Sequence, residues 1–125
     1  MELTVDMPWE KDLSVRHCNM GPRGNWHLRR HVEAWIERLA WEVKAAHIEE
    51  TRELPAYGIQ FPVKVVVDMR FPDKRRRDDH NLHYCIANGV AAGLGIDDRH
   101  IRISTGTVEI DRERPGFSIT VEDRQ

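Results

Sequence analysis

The sequence predicts a small mixed α+β domain, ordered strand–helix–strand–helix–strand–strand, with about four strands in one sheet and two helices. Three observations carry that prediction. Apolar and polar residues alternate at Leu3-Val5-Met7, at Val63-Val65-Val67-Met69 and at Phe117-Ile119-Val121, the period of half-buried strands. Leu28, Val32, Trp35, Ile36, Leu39, Val43 and Ala46 fall in one stripe about 100° wide at helical spacing. A chain of 125 residues suffices for one hydrophobic core, so a single domain over 1–125 is expected.

The elements follow in order. Glu2 to Met7 reads as a strand that Pro8 ends, and Trp9 to Asn25 reads as a long polar loop. Asn25 is a good N-cap for the first helix, which should end around Glu49 to Arg52, before Pro55. Trp41 lies off the apolar stripe, so it either anchors a partner subunit, together with Arg38, or packs under a loop. Tyr57-Gly58 should turn the chain into the strand Phe61 to Arg70, and Phe71-Pro72-Asp73 should close it. A second helix fits from Asp79 or His80 to Leu94, with Gly95 as its C-cap. Its Gly89 and Gly93 are expected to allow close approach to the sheet. His100 to Ile110 changes phase around Gly106, which predicts a bulge, and Phe117 to Val121 forms the last strand.

Charge narrows the function. The net charge of −2 speaks against a generic nucleic-acid binder, but its distribution is uneven. Between Leu13 and Val32 there is no acid, while Arg16, Arg23, Arg29 and Arg30 occur with His17, His27 and His31. A second basic cluster joins Arg70 to Lys74, Arg75, Arg76 and Arg77. Two such patches suit a face that steers a polyanion. Nothing in the sequence has the length of a membrane span, the N-terminus lacks a signal-peptide pattern, and two cysteines make no disulfide framework. A cytoplasmic protein is the expectation.

The chemistry concentrates between Val65 and Asp98. Asp78 precedes the second helix and Asp98 follows it, and a helix of about 15 residues spans some 22 Å. The carboxylates can meet only if the chain after Gly95 doubles back along the strand beside Val63 to Arg70. Together they would suit Mg²⁺ or Mn²⁺, with the arginines on flanking phosphates. The plainer reading is a solvated turn with capping aspartates. His27 and His31, with His17 and Cys18, have part of a zinc-site spacing, but no closing pair exists and a basic helix flank accounts for them better. Cys85 reads as core. There is no phosphate-binding glycine-rich loop and no Ser-His-Asp signature.

The run Phe71-Pro72-Asp73-Lys74-Arg75-Arg76-Arg77-Asp78-Asp79-His80-Asn81-Leu82, followed by Gly95-Ile96-Asp97-Asp98-Arg99-His100-Ile101, resembles the RusA family of Holliday junction resolvases. Thr4-Val5-Asp6-Met7-Pro8-Trp9 resembles that family's opening strand and Pro-Trp turn, and Phe117 to Glu122 sits where its last strand does. The resemblance covers nearly all of the chain. It implies a homodimeric, metal-dependent endonuclease, often of phage or prophage origin, that cuts four-way DNA junctions symmetrically in recombination and repair. Its partners would be branched DNA and a second copy, with no membrane and no small-molecule cofactor.

Residue by residue, Asp78, Asn81, Asp97 and Asp98 match the family pattern. His80 replaces its second metal-binding aspartate, Tyr84 stands at its lysine and Asn88 at its helix aspartate, and the segment before Asp97 is one residue short. The implied catalytic residues are Asp78, His80 and Asp98, and the implied ligands of Mg²⁺ or Mn²⁺ are Asp78, His80, Asp97 and Asp98. Lys74, Arg75, Arg76, Arg77, Arg16, Arg23, Arg29 and Arg30 are the expected DNA contacts. The altered face of His80, Tyr84 and Asn88 leaves a second reading, a protein that binds branched DNA or a partner without cutting.

Overall fold

The computed structural model describes residues 1–22, 24–54 and 58–123. Arg23, Pro55 beyond the first helix and Tyr57 of the expected turn lie outside the described residues. The element order is β1 (Glu2–Pro8), β2 (Asn19–Met20), β3 (His27–Leu28), α1 (Arg30–Thr51), β4 (Val63–Phe71), α2 (His83–Leu94), β5 (Ile101–Ile110) and β6 (Gly116–Asp123). Short 3₁₀ turns, Asp79–Leu82 and Asp98–His100, flank α2. This is the expected small α+β architecture, with two helices and a four-stranded mixed sheet.

The sheet order is β1-β6-β4-β5. β6 runs antiparallel to both neighbours, whereas β4 and β5 are parallel and joined through α2. Side chains in register form rows across the sheet, such as Met7–Phe117–Met69–Val108 and Val5–Ile119–Val67–Thr105. Most of these residues are buried and form one core with Val32, Trp35, Leu39 and Val43 of α1 and Cys85, Ile86 and Val90 of α2. The alternate face, with Thr4, Asp6, Asp68, Arg70, Ser118 and Thr120, carries polar contacts instead. Period 2 thus divides each strand between a core face and a wet face.

The expected bulge is present. Thr105 pairs with Val67 and Val108 with Met69, so Gly106 and Thr107 together oppose Asp68. Asp68 Oδ1 accepts from Thr107 N at 2.8 Å and from Thr107 Oγ1 at 3.1 Å. A Cβ on Gly106 would stand 2.3 Å from that oxygen, so any larger residue there would displace the Asp68 carboxylate from its bonds to Thr107. It returns Val108 and Ile110 to the core-side phase, but there they are half exposed, at 50% and 46%, on the edge strand.

Three expectations are corrected. α1 starts at Arg30 and takes no side-chain cap, because Asn25 leads into β3, which pairs with β2 inside the predicted loop. Pairing of His27 and Leu28 in this hairpin overrides the capping preference of Asn25. Gly89 and Gly93 face α1 rather than the sheet: a Cβ would fall 2.6 Å from Leu39 Cδ2 at one and 2.5 Å from the Ala40 carbonyl oxygen at the other. At the end of the α1 stripe, the buried residue is His47, and Ala46 is only partly covered.

Candidate functional site

β4 ends at Phe71, and the turn after it is built on Asp73. Its Oδ1 accepts from Arg75 N at 2.9 Å and pairs with Arg77 at 2.9 Å. The bond from Arg75 N, joined by Arg77, holds the Asp73 carboxyl below the usual carboxylate range. The Arg77 guanidinium lies 5.1 Å from the Trp9 ring and 5.3 Å from the Phe71 ring. Trp9 in turn stacks on Phe117 with centroids 5.4 Å apart. Arg77 is therefore built into the turn, whereas Lys74, Arg75 and Arg76 are exposed.

Asp78 is the hinge between this turn and α2. Its Oδ1 accepts from His80 N at 3.0 Å and caps the 3₁₀ turn. Asp78 and Asn81 open onto a cavity of about 550 Å³ whose lining includes Arg75, Arg76 and Arg77 on one side and Arg16 and His17 on the other. The Asn81 carbonyl accepts from Val15 N at 2.8 Å, which docks the N-terminal loop on the turn. Two basic segments some 60 positions apart in sequence thus share one concave surface with one motif carboxylate. Arg29 is turned away, donating to the His17 carbonyl at 2.8 Å, and Arg30 is exposed on the first turn of α1.

A second group of side chains meets on the β5 side of the same turn. Asp79, His80 and His83 each bring one potential ligand atom within 4.8 Å of the others. Thr105 of β5 joins them: its hydroxyl donates to Asp79 Oδ2 in a short hydrogen bond and lies 2.7 Å from His83 Nε2. A hydroxyl has one proton and a carboxylate only accepts, so a neutral His83 must carry its proton on Nε2 and keep its lone pair on Nδ1. The Thr105 bond lowers the Asp79 pKa, while burial, then the neighbouring His80, lower that of His83. An anionic carboxylate beside a neutral imidazole at pH 7 is a donor set that a divalent cation accepts.

The other motif carboxylates are elsewhere. Asp97 Oδ1 accepts from Arg99 N at 2.9 Å and caps the 3₁₀ turn that leads into β5. That bond, assisted by the Arg99 charge, lowers its pKa. Because β5 runs parallel to β4, it starts beside Val63, at the far end of β4 from the Asp78 turn. The 12 residues of α2 alone separate the two turns by roughly 18 Å. The expected return of Asp97 and Asp98 to Asp78 does not occur within one chain, since only an antiparallel pairing would have produced it.

His83, rather than Tyr84, turns toward β5; Tyr84 is 45% exposed and Asn88 is half-buried. Asp79 and His83 are four residues apart, and that spacing before a helix was the available signal for this pair. Thr105 could be found as the polar member of an apolar row. Of the zinc alternative, Cys18 is buried beside Cys85 and His31 bonds Asp12 at 2.9 Å, so these side chains do not converge. Burial, reinforced by Cys18, pushes the Cys85 thiol up to about 12, which keeps it inert at neutral pH. Trp41 is 69% exposed with Lys44 Nζ 5.2 Å from its ring, so it is not packed under a described loop. No helix among the described residues is long and apolar enough to cross a membrane.

No protein-family model matches the chain. Curated relatives do. Crossover junction endodeoxyribonuclease RusA of Escherichia coli K12 is 27% identical over 101 residues, covering 78% of this chain and 75% of the relative. The protein of the same name from Enterobacteria phage 82 is 26% identical over 100 residues, covering 78% and 74%. That of Shigella sonnei Ss046 is 26% identical over 101 residues, covering 78% and 75%. Along most of both chains, then, this protein is similar at a distance to RusA crossover junction endodeoxyribonucleases.

Proposed function

We propose that the protein is a structure-specific endodeoxyribonuclease that resolves four-way DNA junctions by divalent-metal-dependent phosphodiester hydrolysis, acting as a homodimer. The observation that carries this reading is the similarity to RusA crossover junction endodeoxyribonucleases over 78% of the chain. The cavity beside Asp78 supports it. Exposed Arg75 and Arg76 on one side and Arg16 on the other offer bidentate donors to successive phosphates, with Lys74 and Arg30 on the flanks. Arg77 contributes by holding the turn.

The expected ion is Mg²⁺ or Mn²⁺, and the carboxylates of Asp78, Asp97 and Asp98 with the His80 imidazole fit a divalent cation. Asp78 caps through one oxygen, and its other oxygen takes no hydrogen bond among the described residues. When bound, the ion would offset charge on the scissile phosphate and lower the pKa of a bound water. His80 has an exposed ring, and serves there as a ligand or as the base that takes the water's proton. Asp97 and Asp98 join this site only if a second copy supplies them, because roughly 18 Å separate the two turns in one chain. A two-fold dimer also answers the substrate, since a four-way junction needs two opposed cuts.

The test is incubation of the pure protein with an end-labelled four-way junction in Mg²⁺ and in Mn²⁺. Paired symmetric nicks are expected. Salt-sensitive junction binding with no nicks in either metal, at protein above the binding constant, would overturn cutting and leave a junction-binding protein.

A further inference from the structure

We infer that Asp79, His80 and His83 form a metal centre in their own right, one selective for a late first-row divalent ion such as Zn²⁺ or Co²⁺ over Mg²⁺. The set differs from the motif carboxylates that the family resemblance marks: only His80 is shared, and Asp79 and His83 come from the other side of the turn.

Four observations carry it. Three ligand atoms from different residues lie within 4.8 Å of one another before any cation draws them together. A cation at bond lengths of about 2.1 Å needs them about 3–3.5 Å apart, so binding must draw the side chains closer, with His83 turning its free Nδ1 to the ion. Two of the three are held by a residue from another element. Thr105 fixes the Asp79 carboxylate and His83 Nε2 on a single hydroxyl, the arrangement of a ligating imidazole whose second nitrogen is hydrogen-bonded. The His80 and His83 rings sit edge to face, with centroids 5.2 Å apart, so both can address one point. The site is also open on one side, since His80 is exposed while Asp79 and His83 are half-buried, which leaves room for water or a phosphate oxygen.

The donor set decides the ion. Two imidazoles and one carboxylate are poor for Mg²⁺, which takes oxygen and sheds water reluctantly, and good for ions that bond nitrogen. Location adds to this. The N-terminal end of α2 and its preceding 3₁₀ turn present partial positive charge, and Arg75 and Arg76 lie in the turn just before Asp78. A cation held mainly by charge gains little there, whereas coordination to imidazole nitrogen is less affected.

The test uses the full chain without DNA. Calorimetric titration with Zn²⁺, Mn²⁺ and Mg²⁺ should give one site per chain that binds Zn²⁺ at least about 100-fold more tightly than Mg²⁺. Imidazole ¹⁵N resonances of His80 and His83 should shift together at one equivalent of Zn²⁺, while those of His17, His27 and His31 stay. His83→Ala and Asp79→Asn should each weaken Zn²⁺ at least about 10-fold, with Thr105→Val weaker in effect and in the same direction. Unmoved His80 and His83 resonances at saturation would overturn the centre, and this readout does not depend on any variant folding. Equal affinity for Mg²⁺ and Zn²⁺ would overturn the selectivity. Metal binding and junction cutting fail separately. Zinc bound by these residues in a chain that never nicks a junction would uphold the centre against the proposed function. Cutting in Mg²⁺ without binding at these histidines would do the reverse.

Discussion

The two ends of α2 are locally the same device in different surroundings. At one end Asp78-Asp79-His80 opens a 3₁₀ turn whose first aspartate accepts from the nitrogen two residues on; at the other, Asp97-Asp98-Arg99 does the same. The N-terminal turn has Thr105 and His83 behind it and a cationic cavity in front. The C-terminal turn is exposed, with His100 stacked on Phe61 at 3.8 Å as its main neighbour. Paired aspartates thus make the same turn at both ends of α2, and tertiary neighbours make one of the turns a candidate site. The exposed pair acquires a role only from something outside the chain.

The strongest way to break this comparison is to ask whether the two ends work in one chain or across two. Asp78→Asn and Asp98→Asn are each expected to lower junction cutting by at least about 100-fold. Mixed and refolded together, the two inactive variants should form heterodimers with one intact composite site, combining Asp78 of one chain with Asp98 of the other. The product would be a nicked junction, with cutting on one strand only. Recovery of no nicks at all would place both carboxylates in the same chain's site and contradict the separation along α2.

The rod between the ends can be disturbed instead. Gly93 lies where a side chain would meet the Ala40 carbonyl and Val43, so Gly93→Val should force α1 and α2 apart. Overpacking of this kind costs about 2 kcal/mol, a fall in Tm of about 5–10 °C for a domain of this size. The same change at an exposed position of α2 such as Ala92 should cost about 1 kcal/mol or less, the lower helix propensity of valine alone. Thermal unfolding of the two variants compares them directly.

What was legible in the sequence follows the same division between local and tertiary. Alternation placed Leu3, Val5 and Met7, the β4 valines and the β6 core residues on the correct face, because period 2 is a property of the strand itself. The phase change at Gly106 gave the bulge for the same reason. The start of α1 was not legible: Asn25 has the right local chemistry for a cap, but β3 pairing claims that segment. The partner of Gly89 and Gly93 was also hidden, since a glycine signals close approach without saying to what. Asp97 and Asp98 were expected back at Asp78, and the parallel register of β5 decided otherwise. Asp79 and His83 lie outside the family pattern at positions 80, 84 and 88, so the motif does not mark them. Their meeting depends on Thr105, 22 residues beyond His83.

The basic run offers a subtler contrast. Arg75→Gln should weaken junction binding and reduce the salt dependence of log affinity by about one unit of slope, with little change in Tm. Arg77→Gln should do the opposite. It loses the Asp73 ion pair and the contacts with Trp9 and Phe71, so Tm should fall, while the salt slope changes less. Equal salt slopes for the two variants would mean that Arg77 reaches DNA as well as the turn.

The smallest expected effect tests the likeness of the two ends. Alanine at an N-cap costs about 1 kcal/mol, whereas asparagine caps as well as aspartate. Asp78→Ala and Asp97→Ala should therefore each lower stability by about 1 kcal/mol in urea unfolding, and the asparagine variants should be close to wild type. That equality lets a loss of cutting in Asp78→Asn be read as lost charge rather than lost structure. A larger cost for Asp78→Ala than for Asp97→Ala would show that capping at the N-terminal end supports more than its own turn. The added cost would then report the coupling of that turn to Thr105 and β5, and it should disappear in a Thr105→Val background.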